Sequence, residues 1–252
     1  SSYTETMEGG SSGNTIVPSD HSNSVLYNRI NLPESDQEFM PKNGSSLSQS
    51  DIDLIVQWID EGALETHITG FQPQTKEELV TAVQLWINDN ASALSAYGEI
   101  NTWDVSLITD MSELFLYSLF NDNIGNWDVS SVTNMDQMFH QATGFNHDLS
   151  NWDVSSVTNM EQMFRGATSF NQDLSSWDVS SVTNMYGVFY DASSFNQDLS
   201  SWNVSSVTNM NSMFFGADSL SDENKCAIHN SWSVQSWHWS SFHDWSTYCA
   251  LS

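Results

Sequence analysis

From Trp127 onward the apolar positions of this chain recur every 25 residues. Trp127, Trp152, Trp177 and Trp202 keep that step, as do Met135, Met160, Met185 and Met210, and Phe145, Phe170 and Phe195. Phe170 to Thr183 reads FNQDLSSWDVSSVT, and Phe195 to Thr208 departs from it only at Asn203. A fixed period of this size marks a solenoid, propeller or array of stacked units. Within a unit, Met135, Met138, Phe139 and Ala142 fall at i, i+3, i+4 and i+7. That spacing predicts the apolar face of a short helix with Thr133 or Asn134 as its N-cap. Phe145, Leu149, Trp152, Val154 and Val157 are spaced too irregularly for a long strand, so a short extended piece is expected around Trp152 to Val154.

One short helix and one short strand per 25 residues define the expected fold class. It is an α+β repeat solenoid of leucine-rich-repeat-like type, with Phe, Met and Trp in places that Leu commonly holds. A small, mainly α N-terminal partial domain is expected at residues 1–66, then a linker at 67–74 and a helical cap at 75–98. In that cap Thr75 and Glu78 make a capping box. Leu79, Val83 and Trp86 follow at helical spacing, with Ala82 and Ile87 widening the stripe. Such a helix covers the open end of the first unit. The repeats fill 99–220. The first is degenerate, with Trp103, Val105, Met111, Leu114 and Phe115 in the signature places. Its step from Met111 to Met135 is 24, because LYSL before Phe120 replaces the five residues HQATG.

Residues 221–252 form an aromatic C-terminal cap, crowded with Trp232, Trp237, Trp239, Phe242, Trp245 and Tyr248. The only cysteines, Cys226 and Cys249, lie here. Their lateness and spacing predict a disulfide clamp worth about 3 kcal/mol, with two buried free thiols as the alternative. A disulfide implies an oxidising compartment and hence export.

Charge changes the picture of partners. Five Lys and Arg face 32 Asp and Glu, a formal charge of -27. Such a surface repels nucleic acid and anionic lipid and favours cationic partners. No apolar run reaches the roughly 18 residues of a membrane span, so no transmembrane segment is expected. The chain opens Ser-Ser-Tyr without an initiator Met or signal peptide, as a fragment or processed form does.

Candidate chemistry is sparse. Asn146, Asn171 and Asn196 are expected to stack as an Asn ladder, each amide bonding its neighbour. Asp148, Asp173 and Asp198, with Asp128, Asp153 and Asp178, suit turn caps that accept backbone N–H groups. The alternative is calcium: carboxylates stacked about 5 Å apart repel, and hard oxygen ligands suit Ca²⁺. Against it, no nonapeptide calcium repeat is present and Asn203 interrupts one row. His229, His238 and His243 match no standard zinc spacing, so no metal site is assigned. An aromatic carbohydrate platform is the other reading of the Trp-rich end. No nucleophile–base constellation occurs, so no catalytic residue is assigned.

Variation between near-identical units carries more. Residues after the helical Met differ freely (Asp136-Gln137, Glu161-Gln162, Tyr186-Gly187, Asn211-Ser212), as do those after the helical Phe (His140, Arg165, Tyr190, Phe215). Core positions cannot drift this way, so these sites are expected on one exposed face. Tyr186, Tyr190 and Phe215 would form an aromatic patch beside Arg165, with His140 on the same face. Tyr and Arg are common interface anchors.

The phrase WDVSSVTNM–MF–A–FNQDLSS resembles the BspA-like, mycoplasma-lipoprotein-type repeat of bacterial surface proteins, over roughly residues 75 to 220. The tail SLSDENKCAIHNSW resembles the C-terminal caps of such proteins. The resemblance implies export, extracellular or cell-surface display, and binding of proteins or glycans in adhesion, with no catalytic residues.

Nearer the N-terminus, Ser48 and Asp51 start a predicted helix through Ile52, Ile55, Val56 and Ile59 to Gly62. Gly9, Gly10 and Gly13 lack a preceding strand and make no phosphate loop. The blocks SGNTIVPSDHSNSVLYNRI, FMPKNG and LSQSDIDLIVQWIDEGA resemble the second half of a planctomycete-type cytochrome c domain. That resemblance makes Met40 the sixth ligand of a haem whose potential the thioether raises. The family also needs Cys-x-x-Cys-His, and no Cys precedes Cys226. This chain therefore holds no cofactor, and haem c would belong only to a longer form. Two alternatives to surface recognition follow: a tethered c-type cytochrome for electron transfer, or a passive spacer.

Overall fold

The computed structural model describes residues 21–32, 47–60, 70–236, 239 and 244–251, in two compact units, Ser1–His67 and Ile68–Ser252. Met40, the N-terminal glycines, Trp237, His238, Phe242 and His243 lie outside the described residues.

The first unit contains α1 (Val25–Ile30) and α2 (Gln49–Asp60). The α2 helix starts one residue after Ser48, whose carbonyl accepts the Ile52 N–H. Its buried Ile59 packs against Ile55, Leu26 and Tyr27.

The second unit opens with α3 (Lys76–Asn88) and α4 (Asn90–Tyr97). Thr75 caps α3 by accepting the Glu78 N–H. The Glu78 carboxylate reaches back to the Gln74 N–H at 2.7 Å, one residue further than a capping box requires. Leu79, Ala82, Val83 and Trp86 are buried, and Trp86 meets Trp103 of the first repeat edge-on at 5.9 Å.

Within each repeat the expected short helix and short strand give way to other structure. Between the short 3-10 turn Ile100–Thr102 and Ser221 there is no helix and no strand. The segment from Met135 to Ala142 is a run of turns. Its N–H groups alternate between two destinations. Met135, Gln137, Phe139 and Gln141 donate to the carbonyls of Asn159, Glu161, Met163 and Arg165 in the next unit, at 2.7–2.9 Å. Met138, His140 and Ala142 donate three residues back within their own unit. Gln137 and Gln141 take left-handed φ values of 54° and 58°, which an α-helix excludes. The physical reason is donor satisfaction. An eight-residue helix leaves four N–H and four C=O groups without partners, whereas an identical neighbour at fixed offset supplies a carbonyl for every second N–H. The expected extended piece at Trp152 to Val154 is also displaced. The parallel bridges run Asp110, Asn134, Asn159, Asn184, Asn209.

The period brings like onto like. Phe115, Phe139, Phe164, Phe189 and Phe214 stack with centroids 5.2–5.7 Å apart. Phe120, Phe145, Phe170 and Phe195 stack at 6.0–6.4 Å. Trp152, Trp177, Trp202 and Trp232 stack at 6.1–6.5 Å. Each of these indoles, buried, donates its N–H to a carbonyl of the unit before: Ile124, Leu149, Leu174 and Leu199. A Phe there would lack the donor. The missing residue of the first repeat falls between Tyr117, still bonded to the His140 carbonyl, and Phe120. Leu119, in that shortened loop, is left exposed.

The C-terminal cap contains a helix, α5 (Asp222–Trp232), which its aromatic crowding did not reveal. It occupies the place of a further unit along several rows. Trp232 continues the indole column, and Ser231 bonds the Ser200 carbonyl as Ser201 bonds that of Ser175. Cys226 and Cys249 form a disulfide, with Cα atoms 4.9 Å apart, that ties α5 to the 3-10 segment Ser246–Leu251. The free-thiol alternative falls.

The column makes Trp177 a direct probe of this packing. Trp177→Phe removes one hydrogen bond, about 1 kcal/mol, and part of the buried ring. The expected loss is about 2–3 kcal/mol in urea unfolding, against about 3–5 for Trp177→Ala. A Phe variant as stable as the parent would contradict the role given to the indole N–H and its stack.

Candidate recognition face

The turn run carries the two rows of side chains that vary between units. One lies directly after the Met of each unit: Ser112, Asp136, Glu161, Tyr186 and Asn211. The other lies after the second Phe-type position: Leu116, His140, Arg165, Tyr190 and Phe215. At the C-terminal end of the second row the residues form a continuous stack. The Arg165 guanidinium sits 4.5 Å from the centre of the Tyr190 ring, and Tyr190 stacks on Phe215 at 4.9 Å and 25°. Phe215 ends the stack and is 62% exposed. Arg165, Tyr186 and Tyr190 are half-buried. Among the described residues no ring contact joins Tyr186 to this stack, so it flanks the patch rather than belonging to it.

His140 departs from the rest of its row. It was expected on the exposed face, but it is buried at 7%. Its Nδ1 meets Gln137 Oε1 at 3.1 Å, and its ring packs against Tyr117 at 5.2 Å. Burial, and secondarily the Arg165 charge, push its pKa below the usual imidazole value.

The first row is acidic at its N-terminal end. Burial pushes the Asp136 carboxyl above its ordinary value, helped by the Glu161, Glu113 and Asp110 charges and opposed by a Gln137 hydrogen bond. Asp136 Oδ1 is buried without a hydrogen-bond partner. The face thus runs from half-buried acid in the early repeats to the exposed Phe215 ring in the last. A sequence scan finds the drift of these positions but not the burial that separates His140 from Phe215.

The repeated polar residues are occupied structurally. Asp104, Asp128, Asp153 and Asp178 each accept the N–H of the Ser two residues on, at 3.0–3.1 Å. Asp148, Asp173 and Asp198 do the same at 2.8–2.9 Å. These Ser hydrogen bonds hold Asp104, Asp148, Asp153 and Asp178 below the usual carboxylate range. Asn203 makes the same contact with Ser205 using a neutral amide, so the turn itself does not require charge. The Asn ladder differs in detail from the expectation. The Oδ1 atoms of Asn146 and Asn171 accept backbone N–H groups of Asn171 and Asn196 at 2.9 and 2.8 Å, with Gln172 and Gln197 amides on the same oxygens. Among the described residues no three His, Cys, Asp or Glu side chains group as metal ligands. His229 accepts the Trp239 indole N–H.

Registered turns, stacked aromatic columns and a drifting outer face define a tandem-repeat protein of 25-residue units. The family model described as "Mycoplasma protein of unknown function, DUF285" matches residues 87–180 and 150–243, well over half of the chain. The protein belongs to that family. No curated protein and no solved structure matches it. Among the described residues no helix is long and apolar enough to cross a membrane.

Asp136 yields a pH prediction. A carboxyl whose folded pKa is raised adds stability below its unfolded value, about 3.9, and loses it as pH rises through the folded value. Asp136→Asn should therefore raise the melting temperature at pH 7 and leave it unchanged near pH 3. A lower melting temperature at pH 7 would contradict the burial and repulsion described for this carboxylate.

Proposed function

We propose that this protein is an exported surface-recognition module: a solenoid that holds a protein or glycan partner at a cell surface through the patch built by Arg165, Tyr190 and Phe215. One observation carries the reading. These residues occupy the positions that vary between otherwise near-identical units, and they converge on a stack ending in an exposed Phe ring. A spacer has no use for an aromatic side chain held open in this way. Stacked aromatics backed by Arg are the usual anchors of an interface. The disulfide supports an oxidising, extracellular location. The charge of -27 keeps the patch from nonspecific contact with anionic surfaces. The rigid core of Phe and Trp columns allows the outer row to change without altering its frame.

The test is attachment of the purified chain to intact cell surfaces and to immobilised extracellular protein and glycan arrays. Tyr190→Ser with Phe215→Ser should weaken attachment at least about 30-fold, the equivalent of about 2 kcal/mol, with an unchanged melting temperature. Tyr186→Ser, at the flank, should cost less. Full attachment by the double variant would remove this face as the binding site.

A further inference from the structure

We propose that the cavity between the helical cap and the first repeat binds an α-amino amide with an apolar side chain, held through its ammonium group, its carbonyl and that side chain. This is the chemistry of a small free amide or of a peptide N-terminus. The site is separate from the Arg165, Tyr190 and Phe215 patch and does not rest on the recognition reading.

The cavity has a volume of about 480 Å³, within the size range of small-ligand sites. It lies where α3 and α4 meet the shortened loop of the first repeat. Trp86 and Ile87 line it from α3, Leu94 from α4, and Leu119 from the loop. Leu94 is 39% exposed and Leu119 84%, so part of this apolar wall stands open to solvent.

The polar side of the cavity is where two rows of the repeat begin without a predecessor. In later units the N–H groups of Asn146, Asn171 and Asn196 each donate to the Asn Oδ1 one period before. Asn121 starts that row and lines the cavity, and its own N–H has no acceptor among the described residues. One place along, His147, Gln172 and Gln197 donate to the carbonyl of the preceding Asn. In the first repeat Asp122 stands there, and an ionised carboxylate only accepts. Its Oδ2 takes the Trp86 indole N–H at 2.8 Å. Its other oxygen takes no hydrogen bond among the described residues. The Glu99 carboxylate, also on the lining, has neither hydrogen bond nor ion pair among them. No Lys, Arg or His lines the cavity.

These groups select the occupant. Two carboxylates without a counter-ion call for a cation. The first N–H of the Asn row calls for an amide oxygen in place of the absent Asn. Trp86, Ile87, Leu94 and Leu119 call for an apolar body. An α-amino amide carries all three within a few bonds, and capture of an amino terminus is an established recognition mode. A carboxylate in place of the amide would meet Glu99 and Asp122 with like charge.

An NMR titration of the full chain at about pH 6, where an α-amino group is protonated, tests this. Phenylalaninamide should shift the Asn121 N–H and the Trp86 indole N–H saturably, with a Kd below about 1 mM. Three controls should each bind at least about 10-fold more weakly: N-acetylphenylalaninamide lacks the cation, glycinamide lacks the apolar body, and phenylalanine carries the carboxylate. Leu119→Ser with Glu99→Gln should weaken phenylalaninamide binding about 10-fold with an unchanged melting temperature. Phe-Gly-Gly amide binding as well as phenylalaninamide would assign the site to a peptide N-terminus, and its failure to bind would assign it to the free amide. No saturable shift at Asn121 and Trp86, equal binding by any of the three controls, or full binding by the double variant would overturn the proposal. Those results leave attachment through Tyr190 and Phe215 standing.

Discussion

Every second N–H in the turn run needs a carbonyl that its own unit cannot supply. That requirement organises the rest of the molecule. The acceptor must sit one period further along, 24 residues from the donor in the full repeats, and in an orientation that only an identical backbone reproduces. The left-handed residues at Gln137 and Gln141, Gln162 and Gly166, Asp191 and Gly187 turn the chain so that these donors face the neighbour. Once the backbones are in register, like side chains stack on like. The Phe and Trp columns follow from the ladder as much as they support it. Gly166 shows the tightness of the fit: its φ of 66° suits glycine, and the Gln141 side chain fills the space a Cβ would take.

A stack of this kind gains its stability from neighbours, so its ends are the weak points. The two ends are closed by different means. At the first repeat a capped helix buries four apolar side chains and sets Trp86 edge-on to Trp103. At the last, α5 imitates a further unit through Trp232, Ser231 and Asn224, and the disulfide holds the following segment to it. Trp245 and Trp239 then pack on Phe214. The imitation is helical, and a helix directs its own N–H groups along its axis. It therefore reproduces side-chain bonds to the preceding carbonyls without reproducing the turn ladder.

Much of this was legible because repetition amplifies weak signals. The core residues, the capped helix after Thr75, the cysteine pair and the rows that vary between units can all be read from spacing. The turn run could not. An i, i+3, i+4, i+7 pattern records which side chains face inward, and both a helix and a run of turns satisfy it. What separates them is whether a neighbour offers carbonyls, which is tertiary information. The same limit explains His140. It drifts like its neighbours, but Tyr117 and Gln137 close over it, and neither contact shows in the pattern. The helix in the C-terminal cap was hidden by its low apolar content. Its N-cap Ser221 was present but lacked a stripe to support it.

The turn run bonds between units rather than within a helix. Trans-hydrogen-bond scalar couplings measured by NMR on the isotope-labelled chain test it directly. The structure predicts correlations from the amide nitrogens of Gln137, Phe139 and Gln141 to the carbonyl carbons of Glu161, Met163 and Arg165. Correlations instead from Phe139 to Met135 and from Gln141 to Gln137, four residues back, would establish a helix in each unit and rule out the bonds between units.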